Sequence, residues 1–352
     1  MRIAEVAPLA ESVPPKLYGG TERVVSWLTE ELVGLGCDVT LFASADSLTS
    51  AALVPACPRP LRLGRPRPDP WSAYAALLDA IADRAKSFDV IHCHTDWIHI
   101  PMLRRGAVPF VTTMHGRLDL PYLPLAAGGF KHAPLISISD SQRGPLSDFN
   151  WIATVHHGLP PDLLLPQTRP AKNYLAFLGR IAPEKGPDAA IRIARTVGLP
   201  LRIAAKIPRS ESRYFKEHIR PFVDGSRVEF VGEVDDAAKA DFLGNAAALL
   251  FPIDWPEPFG LVVIEAMACG TPVIAWRRGS IPEIIDHGVT GFIVENETEA
   301  VEAISTLDRL DRRNIRRVFE QRFTAQRMAQ EYLHCFENLA SRGERGYPPS
   351  DT

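Results

Sequence analysis

Cysteine is scarce in this chain: five residues in 352 (Cys37, Cys57, Cys93, Cys269 and Cys335), scattered and never arranged as a C-x-x-C pair. Such a set argues against a disulfide frame and against a thiolate zinc site, and it points to a reducing compartment, the cytoplasm being the simplest. Long apolar runs are missing as well. No stretch approaches the roughly eighteen residues that a membrane-spanning helix needs. Met1–Glu5 enters a strand-like segment with no charged leader, so a secretory signal is not expected either. Charge of one sign is also lacking. The 39 Lys and Arg against 42 Asp and Glu leave a net charge of -3, without the basic footprint of a nucleic-acid binder. Neither G-x-G-x-x-G nor G-x4-G-K-[ST] occurs, which removes the dinucleotide fingerprint and the Walker phosphate loop.

What is present is a chain rich enough in apolar residues, 46%, to fill two cores, and of a length that suits about two domains. Short β-favouring runs recur at Arg2–Pro8, Val39–Ala43, Val90–Cys93 and Pro109–Thr113. They return at Leu175–Leu178, Leu201–Ala205, Val228–Val231, Ala248–Pro252, Pro272–Ala275 and Phe292–Val294. Each is apolar on both faces and separated from the next by a helical pattern, as in a parallel sheet covered on both sides. Two successive doubly wound α/β units, with a cleft between them, are therefore expected. The expected organisation is an N-terminal Rossmann-like domain over 1–165, a second over 166–320, and a helical region over 321–352. The proline-rich stretch from Pro55 to Pro70 reads as a surface loop. Asn296-Glu297-Thr298 fits a glycosylation pattern but reads as accidental.

The segment Trp255 to Glu283, WPEPFGLVVIEAMACGTPVIAWRRGSIPE, carries the chemistry. A Pro-Phe-Gly turn opening an apolar helix is expected to present backbone N–H groups, contributed by Phe259, Gly260 and Leu261, and the helix dipole favours an anion such as a diphosphate there. Two carboxylates, Glu257 and Glu265, flank that start and suit sugar hydroxyls. Arg180 and Lys185 lie after an apolar strand, where open α/β sheets place ligands, and two cations there can neutralise a diphosphate leaving group. Gly19 and Gly20, between the first strand and the first helix, allow a backbone to approach a phosphate or a sugar closely.

The E-x7-E segment resembles the signature of the retaining glycosyltransferases of family 4. Tyr18-Gly19-Gly20-Thr21-Glu22, Thr113-Met114-His115-Gly116 and Gly179-Arg180-Ile181-Ala182-Pro183-Glu184-Lys185-Gly186 match further motifs of that family in its order. The resemblance implies the two-domain GT-B fold and transfer of a hexose from a nucleotide sugar, a UDP-sugar being favoured, to an acceptor that the sequence does not name. It implies that Glu265 binds the ribose, that Glu257 faces the hexose, that His115 lies near the donor sugar, and that the end of the chain crosses back onto the first domain. No metal and no cofactor are expected, and the resemblance implies a front-face transfer in which the leaving phosphate itself takes the acceptor's proton. Ser280 departs from the family's G-G-x-P-E pattern, leaving the role of Glu283 open.

His92, His94 and Asp96 form an H-x-H-x-D pattern that invites a metal. That reading is set aside because alternating residues share a face only if the strand continues, and His94 and Asp96 are assigned instead to the acceptor side. Acceptor choice is expected in the loops Pro14–Tyr18, Pro58–Trp71 and Asp119–Phe130. A non-catalytic nucleotide-sugar-binding protein, or a GT-B epimerase or phosphorylase, are the competing readings.

Overall fold

The computed structural model describes residues 1–16, 19–62, 69–123 and 127–343, the side chains to 341. Tyr18 and parts of the three expected acceptor loops lie outside the described residues. The chain divides into two compact units, one formed by 1–158 with 325–352 and the other by 159–324. Among the described residues, helices of eight or more residues are numbered α1 to α8 in chain order.

Among the described residues of the first unit seven strands form one sheet: β1 (Arg2–Val6), β2 (Asp38–Ser44), β3 (Ala52–Cys57), β4 (Val90–Cys93), β5 (Phe110–Thr113), β6 (Leu135–Ser137) and β7 (Trp151–Thr154). Their order is β3-β2-β1-β4-β5-β6-β7 and all pairings are parallel. The chain reverses its winding between β1 and β4, the place where such sheets gather ligands at the carboxyl ends of their strands. Glu5 stands opposite His92 there in strand register. Helix α1 (Gly20–Gly34) buries Val24, Val25, Leu28 and Leu32 at helical spacing, and α2 (Pro70–Arg84) starts from an Asp69 side-chain cap. The long α8 (Ala325–Gly343) packs on α1 and β4, burying Met328, Tyr332 and Phe336, one every four residues.

Three elements were not expected from sequence. β6 and β7 extend the sheet, and β3 occupies the beginning of the proline-rich stretch. Pro55 pairs with Ala43 inside β3, which is tolerated because β3 is an edge strand and one side of its backbone needs no ladder partner. The surface-loop reading is therefore corrected: strand runs to Cys57 and helix α2 begins at Pro70, with 63–68 outside the described residues.

The second unit has a six-stranded parallel sheet of order β10-β9-β8-β11-β12-β13, the same winding as the first six strands of the other. Its strands are β8 (Leu175–Arg180), β9 (Leu201–Lys206), β10 (Val228–Gly232), β11 (Ala248–Phe251), β12 (Val273–Trp276) and β13 (Gly291–Val294), all anticipated by the apolar runs. Its helices are α3 (Pro187–Val197), α4 (Asp236–Gly244), α5 (Leu261–Ala268), α6 (Glu297–Ile304) and α7 (Arg312–Arg322). Asn296 caps α6 by accepting from the N–H of Glu299 at 3.0 Å, which explains the asparagine of the glycosylation-like triplet structurally.

The unit boundaries fall at 158/159 and 324/325 rather than at 165 and 320. Leu159 and Thr324, the first and last residues of the second unit, form a parallel bridge, with the Leu159 N–H on the Phe323 carbonyl at 3.0 Å. Backbone pairing of the two crossings thus sets the division, which composition alone does not reveal. The helical region expected over 321–352 is split accordingly, α7 belonging to the second unit and α8 to the first.

Candidate active site

In the second unit, the loops after β8 and β11 are built against each other. Gly186 has φ +67°, and a Cβ there would lie 2.2 Å from the Pro252 carbonyl oxygen. The Asp254 N–H donates to the Glu184 carbonyl at 2.8 Å. That packing delivers Lys185 to Glu257: Nζ lies 2.6 Å from Oε2, with side-chain exposures of 16% and 12%. The Trp255 indole N–H donates to the same Oε2 at 2.8 Å, and the Lys185 ammonium sits 4.4 Å from the Trp255 ring centre. Glu257 in turn lies against Gly260, whose left-handed φ of +85° turns the chain into α5 without any side-chain cap. An apolar helix therefore begins uncapped beside a cation and a carboxylate, the arrangement an anionic ligand bearing hydroxyls would use. The Phe259 ring is buried, edge-on to Phe323 with ring centres 6.3 Å apart.

The segment after β12 is pinned onto this loop. Gly279 has φ +55°, and a Cβ there would meet the Glu257 backbone at 2.2 Å. Ser280, where the family pattern has glycine, donates its N–H to the Glu257 carbonyl at 3.0 Å and its hydroxyl to the Phe259 carbonyl at 2.8 Å. The substitution tightens the loop that carries Glu257. Arg180 is not brought to Lys185 and Glu257; its guanidinium donates to Glu184 at 2.7 Å. Glu265 is held by a residue that sequence reasoning missed. Lys239 on α4 lies 2.6 Å from its Oε1, and both residues are buried. Nothing in the spacing around Lys239 signals this pairing, which arises from α4 packing on α5.

A cavity of about 430 Å³ elsewhere in this unit is lined by Tyr174, Leu201, Arg202 and Glu229, at the amino-terminal ends of β8, β9 and β10. It lies at the opposite end of the sheet from Arg180 and Lys185. An Arg202–Glu229 ion pair of 2.7 Å already occupies its polar wall.

In the first unit, Gly19 and Gly20 start α1, Gly19 as its cap in extended conformation, pressed against Pro15 and Glu22 so that a Cβ would meet them at 2.9 and 3.0 Å. His115 follows β5. Its Nε2 lies 2.8 Å from His94 Nδ1, its ring stacks on His157 at 5.2 Å, and its Nδ1 is buried without a partner among the described residues. His94 Nε2 lies 2.9 Å from one oxygen of Glu5, and His92 Nδ1 lies 3.0 Å from the other. The ring centres of His92 and His94 are 4.1 Å apart.

These contacts correct two expectations. His92 and His94 do share a face, although β4 ends at Cys93, because Glu5 on the neighbouring strand draws both rings to itself. His94 is also not free for an acceptor, since it is buried with both nitrogens engaged. Glu5, His92 and His94 are the three residues, among those described, whose ligand atoms fall within 4.8 Å of one another; both Glu5 oxygens are already occupied by imidazole. Burial pushes His92 and His94 down to about 3 and moves His115 well below its usual range, keeping these rings neutral, while desolvation raises Glu5 against the opposing hydrogen bond from His94. The sequence signal for Glu5 was available: one carboxylate inside an otherwise apolar β1, and a buried charge is the informative exception.

Two Rossmann-like parallel sheets wound in the same order are the architecture of the GT-B fold. Residues 18–191 match Glycosyltransferase Family 4 and residues 166–322 match Glycosyl transferases group 1. The chain belongs to glycosyltransferase family 4. A D-inositol 3-phosphate glycosyltransferase of Mycolicibacterium smegmatis is 28% identical over 79% of this chain and 75% of its own length. That of Mycobacterium leprae (strain TN) is 28% identical over 63% and 61%.

Among solved structures, the avilamycin A biosynthesis glycosyltransferase AviGT4 superposes with a TM-score of 0.75 at 24% identity, covering 97% of this chain and 98% of that one. A sucrose-phosphate synthase of Thermosynechococcus elongatus reaches 0.79 at 20% identity, covering 97% and 99%. Anabaena HepE, solved with UDP and glucose, reaches 0.73 at 20% identity, covering 96% and 100%. No helix among the described residues is long and apolar enough to cross a membrane.

Proposed function

We propose that this glycosyltransferase moves a hexose from a UDP-sugar to an acceptor hydroxyl with retention of configuration and without a metal ion. The observation that carries the reading is the Lys185–Glu257 pair set beside the uncapped start of α5. Breaking a sugar–diphosphate bond leaves negative charge on the phosphate, and an ammonium together with a helix amino terminus stabilises that charge as it develops. When a diphosphate takes the ammonium, Glu257 is released to accept from hexose hydroxyls. Arg180 would leave Glu184 to share the load, and the second carboxylate, Glu265, would hold the ribose with Lys239 fixing its position from 2.6 Å. His115 offers an unpartnered nitrogen to a sugar hydroxyl, and Gly19 and Gly20 give close backbone approach to substrate.

The names of relatives, inositol 3-phosphate and sucrose phosphate among them, make phosphorylated polyols and sugars the first acceptors to try. The five free thiols suit a reducing, cytoplasmic setting. The test is a thermal-shift screen of UDP, GDP and ADP, since a ligand of the native state raises its stability by mass action. Transfer from the matching nucleotide sugars follows, with the product anomer read by proton NMR. No stabilisation by any nucleoside diphosphate, or an inverted product, would overturn the reading.

A further inference from the structure

One line of hydrogen bonds runs through the first unit from α8 to His115. The Tyr332 hydroxyl lies 3.0 Å from Thr113 Oγ1, which lies 2.7 Å from His92 Nε2. His92 Nδ1 meets one Glu5 oxygen at 3.0 Å, and the other meets His94 Nε2 at 2.9 Å. His94 Nδ1 then meets His115 Nε2 at 2.8 Å, and the line stops at His115 Nδ1, which is buried and has no partner among the described residues. Tyr332, Thr113, His92 and Glu5 are 0% exposed and His94 is 3% exposed, so no water sets the direction of the bonds from Tyr332 to His94 from outside; His115 is half-buried.

The direction follows from what each group can do. A neutral imidazole has one donor and one acceptor nitrogen, a carboxylate only accepts, and a hydroxyl does both. Burial keeps the rings neutral. If Glu5 accepts from both rings, His92 Nε2 is bare and takes the Thr113 hydroxyl proton, while Thr113 accepts from Tyr332. On the other side His94 Nδ1 is bare, so the hydrogen bond at 2.8 Å requires His115 to donate from Nε2. His115 Nδ1 is left as a lone pair. The two N–H donors also offset part of the cost of burying the charge on Glu5.

We infer that Glu5, acting through His94, fixes the tautomer of His115, so that this ring presents an acceptor and not a donor to the substrate hydroxyl it meets. The inference rests on the role proposed above for His115. Glu5 and His94 are positioning residues; neither touches substrate. The orphaned Nδ1 is then an unmet acceptor that a hydroxyl proton satisfies, and a fixed tautomer removes the loss that would follow if half the rings faced substrate with the wrong group.

The test is the tautomeric state of the histidines in full-length protein labelled with ¹⁵N-histidine, read from long-range ¹H–¹⁵N correlations at neutral pH. Wild type should show His94 and His115 protonated on Nε2. In Glu5→Gln the amide offers one acceptor and one donor, so it cannot receive two N–H groups, and either His92 or His94 must move its proton to the other nitrogen. His115 should change tautomer when His94 is the ring that moves, and only then, with turnover falling at least about tenfold in that case. Tyr332→Phe removes the far end of the line and should leave His94 and His115 as they were.

Protonation of wild-type His115 on Nδ1 would overturn the inference. So would an unchanged His92 and His94 in Glu5→Gln, which would mean that Glu5 is already protonated. A His115 that does not follow His94, or that responds to Tyr332→Phe, would do the same. Should Glu5→Gln fail to fold, the wild-type spectrum decides. Because the spectra need no substrate, correct tautomers in a protein without transferase activity would sink the proposed function and the substrate hydroxyl with it, while the tautomer set from Glu5 through His94 to His115 would stand.

Discussion

Glu265 and Lys239 meet at 2.6 Å with side-chain exposures of 7% and 10%, so the carboxylate assigned to the ribose already has a buried counter-ion. Lys239→Met would leave that carboxylate uncompensated and should destabilise the protein by about 3–5 kcal/mol in urea melts. A cost below about 1 kcal/mol would show that the pair is effectively solvated. Glu265→Gln should weaken UDP and UDP-sugar binding alike by calorimetry, because the ribose is bound equally in ground and transition states.

Glu257 should behave differently. Glu257→Gln should keep UDP affinity within a few fold while lowering transfer by an amount on the order of 1.5–3 kcal/mol, the range for a charged hydrogen bond. Equal losses of UDP affinity in both glutamate variants would refute the division of roles. Lys185→Ala and Arg180→Ala should each cut turnover at least about a hundredfold. Near-normal turnover in either would remove that cation from the diphosphate.

The protein's own cations and helix start are proposed to supply the charge, so activity should survive EDTA. Loss on chelation that Mg²⁺ or Mn²⁺ restores would move charge neutralisation to a metal.

Gly279 holds the Glu257 loop by having no Cβ, at φ +55° with the Glu257 backbone oxygen 2.2 Å from where one would stand. Gly279→Ala should push Glu257 off Lys185, lowering stability by at least about 1 kcal/mol from the backbone conformation alone and turnover with it. A variant with wild-type melting and wild-type turnover would contradict the geometry.

His99 is fully buried between the hydroxyls of Thr95 and Thr112, and burial lowers it from 6.5 to about 3. The unfolded chain therefore takes up a proton below 6.5 that the folded protein refuses until about 3, so this stability is complete above 6.5 and lost as pH falls through that window. Between about pH 7.5 and about pH 5.5, wild type should lose about 1.4 kcal/mol more than His99→Gln, other titrating groups cancelling in the comparison. Parallel losses in the two proteins would mean that His99 titrates normally.

The sequence by itself determined the strands of the second sheet, since runs that are apolar on both faces have few other uses. It also placed the loop residues Lys185, Glu257 and Gly260 at strand ends, because parallel winding puts such loops together without any knowledge of packing, though it did not set the direction of Arg180, which turns to Glu184. It did not show β3, where Pro55 argues against a strand until the edge position is known, nor β6 and β7. Tertiary structure alone decided the partners. His92 and His94 lie 87 and 89 positions from Glu5, Lys239 lies 26 from Glu265, and Tyr332 lies 219 from Thr113. Periodicity reports which face a residue shows to its own element. Which buried acid meets which base depends on the strand order β1-β4 and on where α4 and α8 come to rest, and those are products of the packed core.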